Sequence, residues 1–216
     1  MRNPMRLAVA ATVAAVLVAA AGCASSSHAA TATTTTVAPA TTAPTATPST
    51  GSSTVTAPPA VLQLPADTAA AVRAAGLQML GSEGTVRHVH AHLDLLVGGH
   101  QVVIPPDVGI DVTAQQLSPL HTHDPSGILH IEADNTDPIH LGQFFVEVGY
   151  PLHGDCFGTV CAGAGETLRV YLDGKPYSGA PARLVLDDHQ EIVVWIGPTG
   201  EHPTVPSTYD FAAAGL

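Results

Sequence analysis

Between Val89 and Val97 the chain alternates: Val89, Ala91, Leu93 and Leu95 fall on one face, His88, His90, His92 and Asp94 on the other. Period two over this length predicts a strand with one buried face. Gly98-Gly99 then turns the chain, and residues 101–104 return as the second arm of a hairpin. Residues 120–123, the turn Asp124-Pro125-Ser126-Gly127 and residues 128–133 predict a second hairpin. Upstream, Asp67 can cap a short helix reaching Ala75 and ended by Gly76. Residues 141–148 carry helical periodicity, with Phe144, Phe145 and Val148 on the apolar side and Gly149 closing it. A third hairpin spans residues 168–177 around Asp173-Gly174, and residues 184–186 and 191–196 supply the last strands.

The order hairpin, helix, strand, strand resembles a β-grasp domain, with the histidine-rich hairpin inserted between the first hairpin and the helix. The fold class expected is therefore α+β, a small mixed sheet with one short helix. A small β-sandwich is the alternative, because short strands and polar turns suit it as well.

The amino terminus follows a different rule. Arg2 and Arg6 precede an uncharged run over residues 7–20, then Ala20-Ala21-Gly22-Cys23. A basic start, an apolar stretch too short to span a bilayer and small residues before a cysteine predict a secretory signal over 1–22. The segment resembles a bacterial lipoprotein signal of actinobacterial type, with Ala20 where the motif usually has leucine. That resemblance implies that Cys23 carries thioether-linked and palmitate-type acyl chains. The alternative is plain cleavage and secretion.

Residues 24–60 hold twelve threonines and five prolines, with no Asp, Glu, Lys or Arg and no Phe, Tyr or Trp. Such a segment cannot bury enough apolar surface to offset its ordering entropy. Residues 23–60 thus read as a lipidated cysteine on a disordered stalk, about 35 Å from end to end if it behaves as a flexible coil. The single globular domain is expected over 61–216. The predicted address is the extracytoplasmic face of the cell membrane, with the lipid anchor as the membrane partner.

Charge narrows the partners. After residue 23, five Lys+Arg face 18 Asp+Glu. That balance offers no basic footprint for a phosphate backbone, so nucleic acid is excluded as a partner. Of the three cysteines, Cys156 and Cys161 remain after Cys23. In an oxidising exterior they are expected to close a local disulfide.

Histidine carries the chemistry: the chain has 12. Three of them, His88, His90 and His92, share a strand face with Asp94. In the second hairpin, pairing His123 with Ile128 across the four-residue turn sets His121 directly opposite His130. Their β-carbons would then lie about 4.5–5.5 Å apart, with Glu132 one step further along that face. Neutral imidazole suits Zn(II), Cu(II), Ni(II) and iron, and with Met79 the one methionine beyond the signal a soft Cu(I) carrier does not fit. The candidate ligands are His88, His90, His92, His121, His123 and His130. Asp94, Asp124 and Glu132 are candidates either for ligation or for fixing ring tautomers. The expected ion is zinc or copper(II). His100, His140, His153, His189 and His202 lie near turns and are assigned surface roles.

The segments 84–93, 103–110, 121–132 and 141–145, with their His-x-His-x-His-Leu and His-Thr-His-Asp-x-x-Gly-Ile-x-His-Ile-Glu motifs, resemble a family of uncharacterised secreted or membrane-anchored prokaryotic proteins. No activity is established for that family, so the resemblance points to the histidine segments and to no reaction. Metal handling or sequestration is the first functional expectation. A metalloenzyme activating water is the second, weakened by the lack of an HExxH helix or a Gly-framed serine. A β-grasp module that binds a ligand or partner without metal is the third. A catalytic role is disfavoured.

Overall fold

The computed structural model describes residues 58–216; the predicted signal, Cys23 and nearly all of the stalk lie outside them. The first helix, α1 (Thr68–Ala74), is capped as expected, Asp67 accepting from the Ala70 N–H at 2.8 Å. Strand β1 (Arg87–Val97) leads through the glycine turn into β2 (His100–Val102). A short pair, β3 (Ile110–Asp111) and β4 (Gln116–Leu117), precedes β5 (Leu120–His121) and β6 (Ile128–Ala133). Helix α2 (Leu141–Glu147) follows. Three small strands come next, β7 (Leu152–His153), β8 (Cys156–Phe157) and β9 (Val160–Cys161). The chain ends with β10 (Glu166–Leu172), β11 (Lys175–Pro176) and β12 (Gln190–Pro198).

The fold is α+β. Its main sheet has the order β11-β10-β12-β1-β6-β5, with β2 also on β1. The central pair β1 and β12 is parallel, while β10 runs antiparallel to β12 and β2 to β1. The hairpin β1–β2, the helix α2 and the strands β10 and β12 form the expected β-grasp core. The alternative, a sandwich of two facing sheets, is corrected: β1, β2, β5, β6 and β10–β12 share one sheet. Eleven residues make β1 long enough for two partners along the same edge. Residues 95–97 pair with β2, and residues 87–92 pair with the inserted β6.

Alternation sorts the two faces. Ala91, Leu93 and Leu95 of β1, Leu129 and Ile131 of β6, and Ile192, Val194 and Ile196 of β12 are buried with Phe144 and Phe145 of α2 in one core. The opposite face is apolar over β10, β12 and the end of β1, where Tyr171, Val193 and Trp195 pack with Leu96 and Val205. From there it turns to imidazole and carboxylate over β1, β6 and β5.

One expected strand is corrected. Residues 184–186 follow a single 3-10 turn and make only an isolated bridge, Val185 to His140. Leu184 and Leu186 are both buried, and their backbone bonds go to the chain entering α2: Leu141 N–H to the Leu184 carbonyl at 2.8 Å, Leu186 N–H to that of Ile139 at 2.9 Å. The Leu-Val-Leu alternation is satisfied beside the helix entry instead of in the sheet. The expected disulfide is present, Cys156–Cys161 joining the adjacent strands β8 and β9. Among the described residues, no helix is long and apolar enough to cross a membrane.

Candidate metal centre

The inserted hairpin places the first three rings. His121 lies directly opposite His130 in the β5–β6 ladder, the register anticipated from the turn length. Leu120 sends its side chain into the core, so His121 must face the other way. Strand pairing then stops, because Thr122 is fully buried and tied to the preceding loop. Its hydroxyl donates to the Pro105 carbonyl at 3.0 Å and accepts from the Val108 N–H at 3.1 Å. This anchor leaves His123 free to fold over the face beside its neighbour.

The tight turn ahead of β6 requires Gly127. Its φ is +91°, and a β-carbon there would stand 2.7 Å from the Leu93 carbonyl oxygen and 3.0 Å from His92 Nε2. The Asp124 carboxylate accepts from the Ser126 N–H at 2.8 Å. Those hydrogen bonds from Ser126 hold its carboxyl below the usual range. Asp124 is thus a turn-forming group.

The rings of His121, His123 and His130 converge. Their centroids lie 4.7 Å (His121–His123), 4.5 Å (His123–His130) and 5.3 Å (His121–His130) apart. Between His121 Nε2 and His123 Nε2 the distance is 3.2 Å. Two nitrogens held at 2.0–2.1 Å around a tetrahedral ion would be about 3.3 Å apart, so this pair already has the spacing of two ligands.

Two tautomers are set by the surroundings. A carbonyl can only accept, so the 2.9 Å contact of His121 Nδ1 with the Ser118 carbonyl means that Nδ1 carries the proton and Nε2 the lone pair. In His130, Nδ1 lies 3.1 Å from Glu132 Oε1, and donation to this carboxylate likewise leaves Nε2 as the lone-pair atom. Outer partners of this kind orient metal-binding imidazoles. Burial pushes His121 down to about 4. Burial and then the neighbouring charges of His121 and His123 push His130 to about 3. Both rings are therefore neutral at physiological pH, the state that a metal requires.

The β1 histidines divide. The β1–β6 register sets His88 opposite Glu132 and His90 opposite His130. The His90 ring stands edge-on to His130 with centroids 4.7 Å apart, and His88 Nε2 is 3.5 Å from Glu132 Oε1. Burial, followed by the charge of His88, lowers the His90 pKa. His90 Nε2 and Glu132 Oε2 are buried without a hydrogen-bond partner in the protein. Burial and then the Glu83 carboxylate raise the Glu132 pKa.

His92 does not join them. It shares their face but lies opposite Glu191 of β12, and its ring is committed on both sides. Nδ1 is 2.9 Å from Glu191 Oε2, Nε2 is 2.9 Å from the Ser126 carbonyl, and the ring stacks on Tyr209 at 4.0 Å. Burial alone would lower its pKa, but the hydrogen bond and charge of Glu191 outweigh it, and the net shift is upward. The Ser126 carbonyl can only accept, so Nε2 carries a proton there, and Nδ1 faces the Glu191 carboxylate. Asp94 stays with that group, accepting from the Gln101 amide at 3.1 Å.

The structure gathers His88, His90, His121, His123, His130 and Glu132 on one patch. His92 and Asp94 lie apart from it with Glu191, in a separate grouping that could also hold an ion, and Asp124 accepts from Ser126 in the turn. Sequence reasoning missed Glu83, whose Oε1 is 4.0 Å from His123 Nε2, and Ser118, which orients His121. Glu83 is carried in by Gly84, where a β-carbon would fall 2.2 Å from the Ala133 backbone carbon. A third grouping, His153 with Cys156 and Cys161, has no thiolate to offer because its sulfurs are bonded to each other. No family model matches the chain, and no curated protein or solved structure is detectably similar to it.

Proposed function

We propose that this protein binds a divalent transition metal, zinc or copper(II), through His121, His123 and His130, and that it handles or sequesters the ion at the outer face of the membrane. One observation carries the reading: three imidazoles converge, two with lone pairs aimed by outer partners and two with nitrogens already 3.2 Å apart. The donor set is nitrogen and carboxylate oxygen with no thiolate, which suits a borderline ion and not Cu(I). The lipid anchor at Cys23 and the stalk over 24–60 belong to the proposal on the strength of sequence alone. They would hold the domain outside the membrane within reach of incoming metal.

The test is elemental mass spectrometry on the full chain, purified without a polyhistidine tag or chelator, beside the His121→Ala/His123→Ala variant. A bound first-row metal that is lost in the folded variant supports the reading. A wild-type protein that takes up neither Zn(II) nor Cu(II) at micromolar concentration refutes it, and the face then becomes a partner-binding or pH-responsive surface. Water activation is a second reading. It is favoured by His123, half exposed and facing Glu83, which leaves one side of the site open to solvent. Hydrolytic turnover that disappears with the metal would establish it.

A further inference from the structure

We propose that the same face holds a second metal position, formed by His88, His90 and Glu132, so that the domain loads two ions joined through one carboxylate. The proposal rests on the metal-binding reading above and adds stoichiometry and linkage to it.

The residues of this position are not spare members of the first. His88 and His90 lie on β1, while the three rings of the first position come from the inserted hairpin. Strand register brings His88 to Glu132 and His90 to His130 as direct cross-strand pairs. The ligand atoms of His88, His90 and Glu132 fall within 4.8 Å of one another. The His88 and His90 rings stand edge to face with centroids 5.0 Å apart.

Two atoms argue for a ligand there. His90 is 8% exposed and Glu132 2% exposed, and His90 Nε2 and Glu132 Oε2 have no hydrogen-bond partner in the protein. Buried polar atoms are nearly always satisfied. The backbone of His90 is fixed on both sides, its N–H donating to Asp188 Oδ1 at 3.3 Å and its carbonyl accepting from the His189 N–H at 2.7 Å. The His88 and His130 rings pack against the His90 ring, whose Nε2 is unused.

Glu132 divides its labour. Oε1 accepts from His130 Nδ1–H at 3.1 Å and so orients a ligand of the first ion, while Oε2 is the atom free to bind the second. One carboxylate thereby touches the second ion directly and the first through an imidazole. A glutamine at this position could still accept from His130 but would be a poor ligand for a hard-to-borderline cation.

The experiment is equilibrium dialysis of the full chain against micromolar Zn(II), followed by elemental analysis and a far-ultraviolet circular dichroism check on each variant. Wild type should hold about two equivalents. His88→Ala/His90→Ala and Glu132→Gln should each hold about one, and so should His121→Ala/His123→Ala. His88→Ala alone removes a ring whose side chain is 56% exposed. That change spares the fold and should weaken one of the two ions at least tenfold while leaving the other. One equivalent in wild type overturns the second position and leaves the first reading standing. Two equivalents that persist in His88→Ala/His90→Ala also overturn it. No uptake of Zn(II), with a repeat against Cu(II) equally empty, overturns both.

Discussion

On the proposed reading, acidification should weaken metal binding at His121, His123 and His130 far less than at an ordinary three-histidine site. Each free imidazole with the reference pKa of about 6.5 costs a metal about 25-fold in affinity between pH 7 and pH 5, because protons compete for the lone pair. Three such rings would cost roughly 10⁴-fold. Here His121 is held down to about 4 and His130 to about 3 by burial. Neither takes up a proton in that interval, so two of the three factors disappear, and a penalty well below 10³-fold is expected. Competition between the protein and a chromophoric chelator for Zn(II), run at pH 7 and pH 5 with the chelator's own proton affinity corrected, measures the ratio. A loss of 10³-fold or more would mean that the two buried rings titrate normally, and the electrostatic account of the site would fail. If the proposed site holds metal, it should keep it under mildly acidic conditions.

Other outcomes can be checked in parallel. Glu147 is buried beside Ser118, whose hydroxyl donates to it, and burial raises its pKa to about 8. A carboxyl raised in the folded state stabilises below its unfolded pKa and loses that contribution as pH rises through the folded one. Roughly 5 kcal/mol should therefore drain away between about pH 4.5 and pH 8. Urea unfolding of Glu147→Gln against wild type across that range should show the variant's advantage growing with pH, and an unchanged difference would contradict the burial. Gly127→Ala must place a β-carbon against the Leu93 carbonyl at positive φ, and a loss of about 2–4 kcal/mol in chemical unfolding is expected. His92→Gln breaks a buried pair and leaves the Glu191 carboxylate without its partner, for a loss of about 3–5 kcal/mol. Metal content should nonetheless stay at the wild-type value in His92→Gln, and a lost equivalent would place His92 among the ligands after all.

The contrast between His121 and His92 shows what spacing can and cannot convey. A four-residue turn flanked by alternating positions determines which residues face each other, so His121 opposite His130 could be read from the chain. Period two also places His88, His90 and His92 on one face correctly. It says nothing about which strand lies alongside. His88 and His90 have Glu132 and His130 as cross-strand neighbours, whereas His92 lies beyond the hairpin's ligand pair and meets Glu191 of β12, ninety-nine positions away, and Tyr209 of the carboxy-terminal segment. Glu83 was invisible for a related reason. Its place over the cluster depends on Gly84 packing against the Ala133 backbone, a contact between segments with no shared periodicity. Residues 184–186 failed in the opposite direction, since an alternating apolar triplet buries equally well beside a helix entry as in a sheet.

The topology explains why these histidines meet at all. A β-grasp core needs β1 only as long as its β2 and β12 partners, yet here β1 extends amino-terminally to Arg87. The hairpin inserted after β2 returns to pair with that extension, on the same edge that β2 occupies further along. Both the extension and the insertion bury one face against the α2 side of the sheet, and this forces their alternate residues together on the other face. Polar residues that the register sets opposite each other in the two segments, as it does His88 with Glu132 and His90 with His130, then converge. The apolar members of that alternation, Ala91, Leu129 and Ile131, hold the geometry from behind. A one-residue slip of β6 against β1 would bury His130 in the core, so the stability of the sheet and the integrity of the metal face are enforced by the same register.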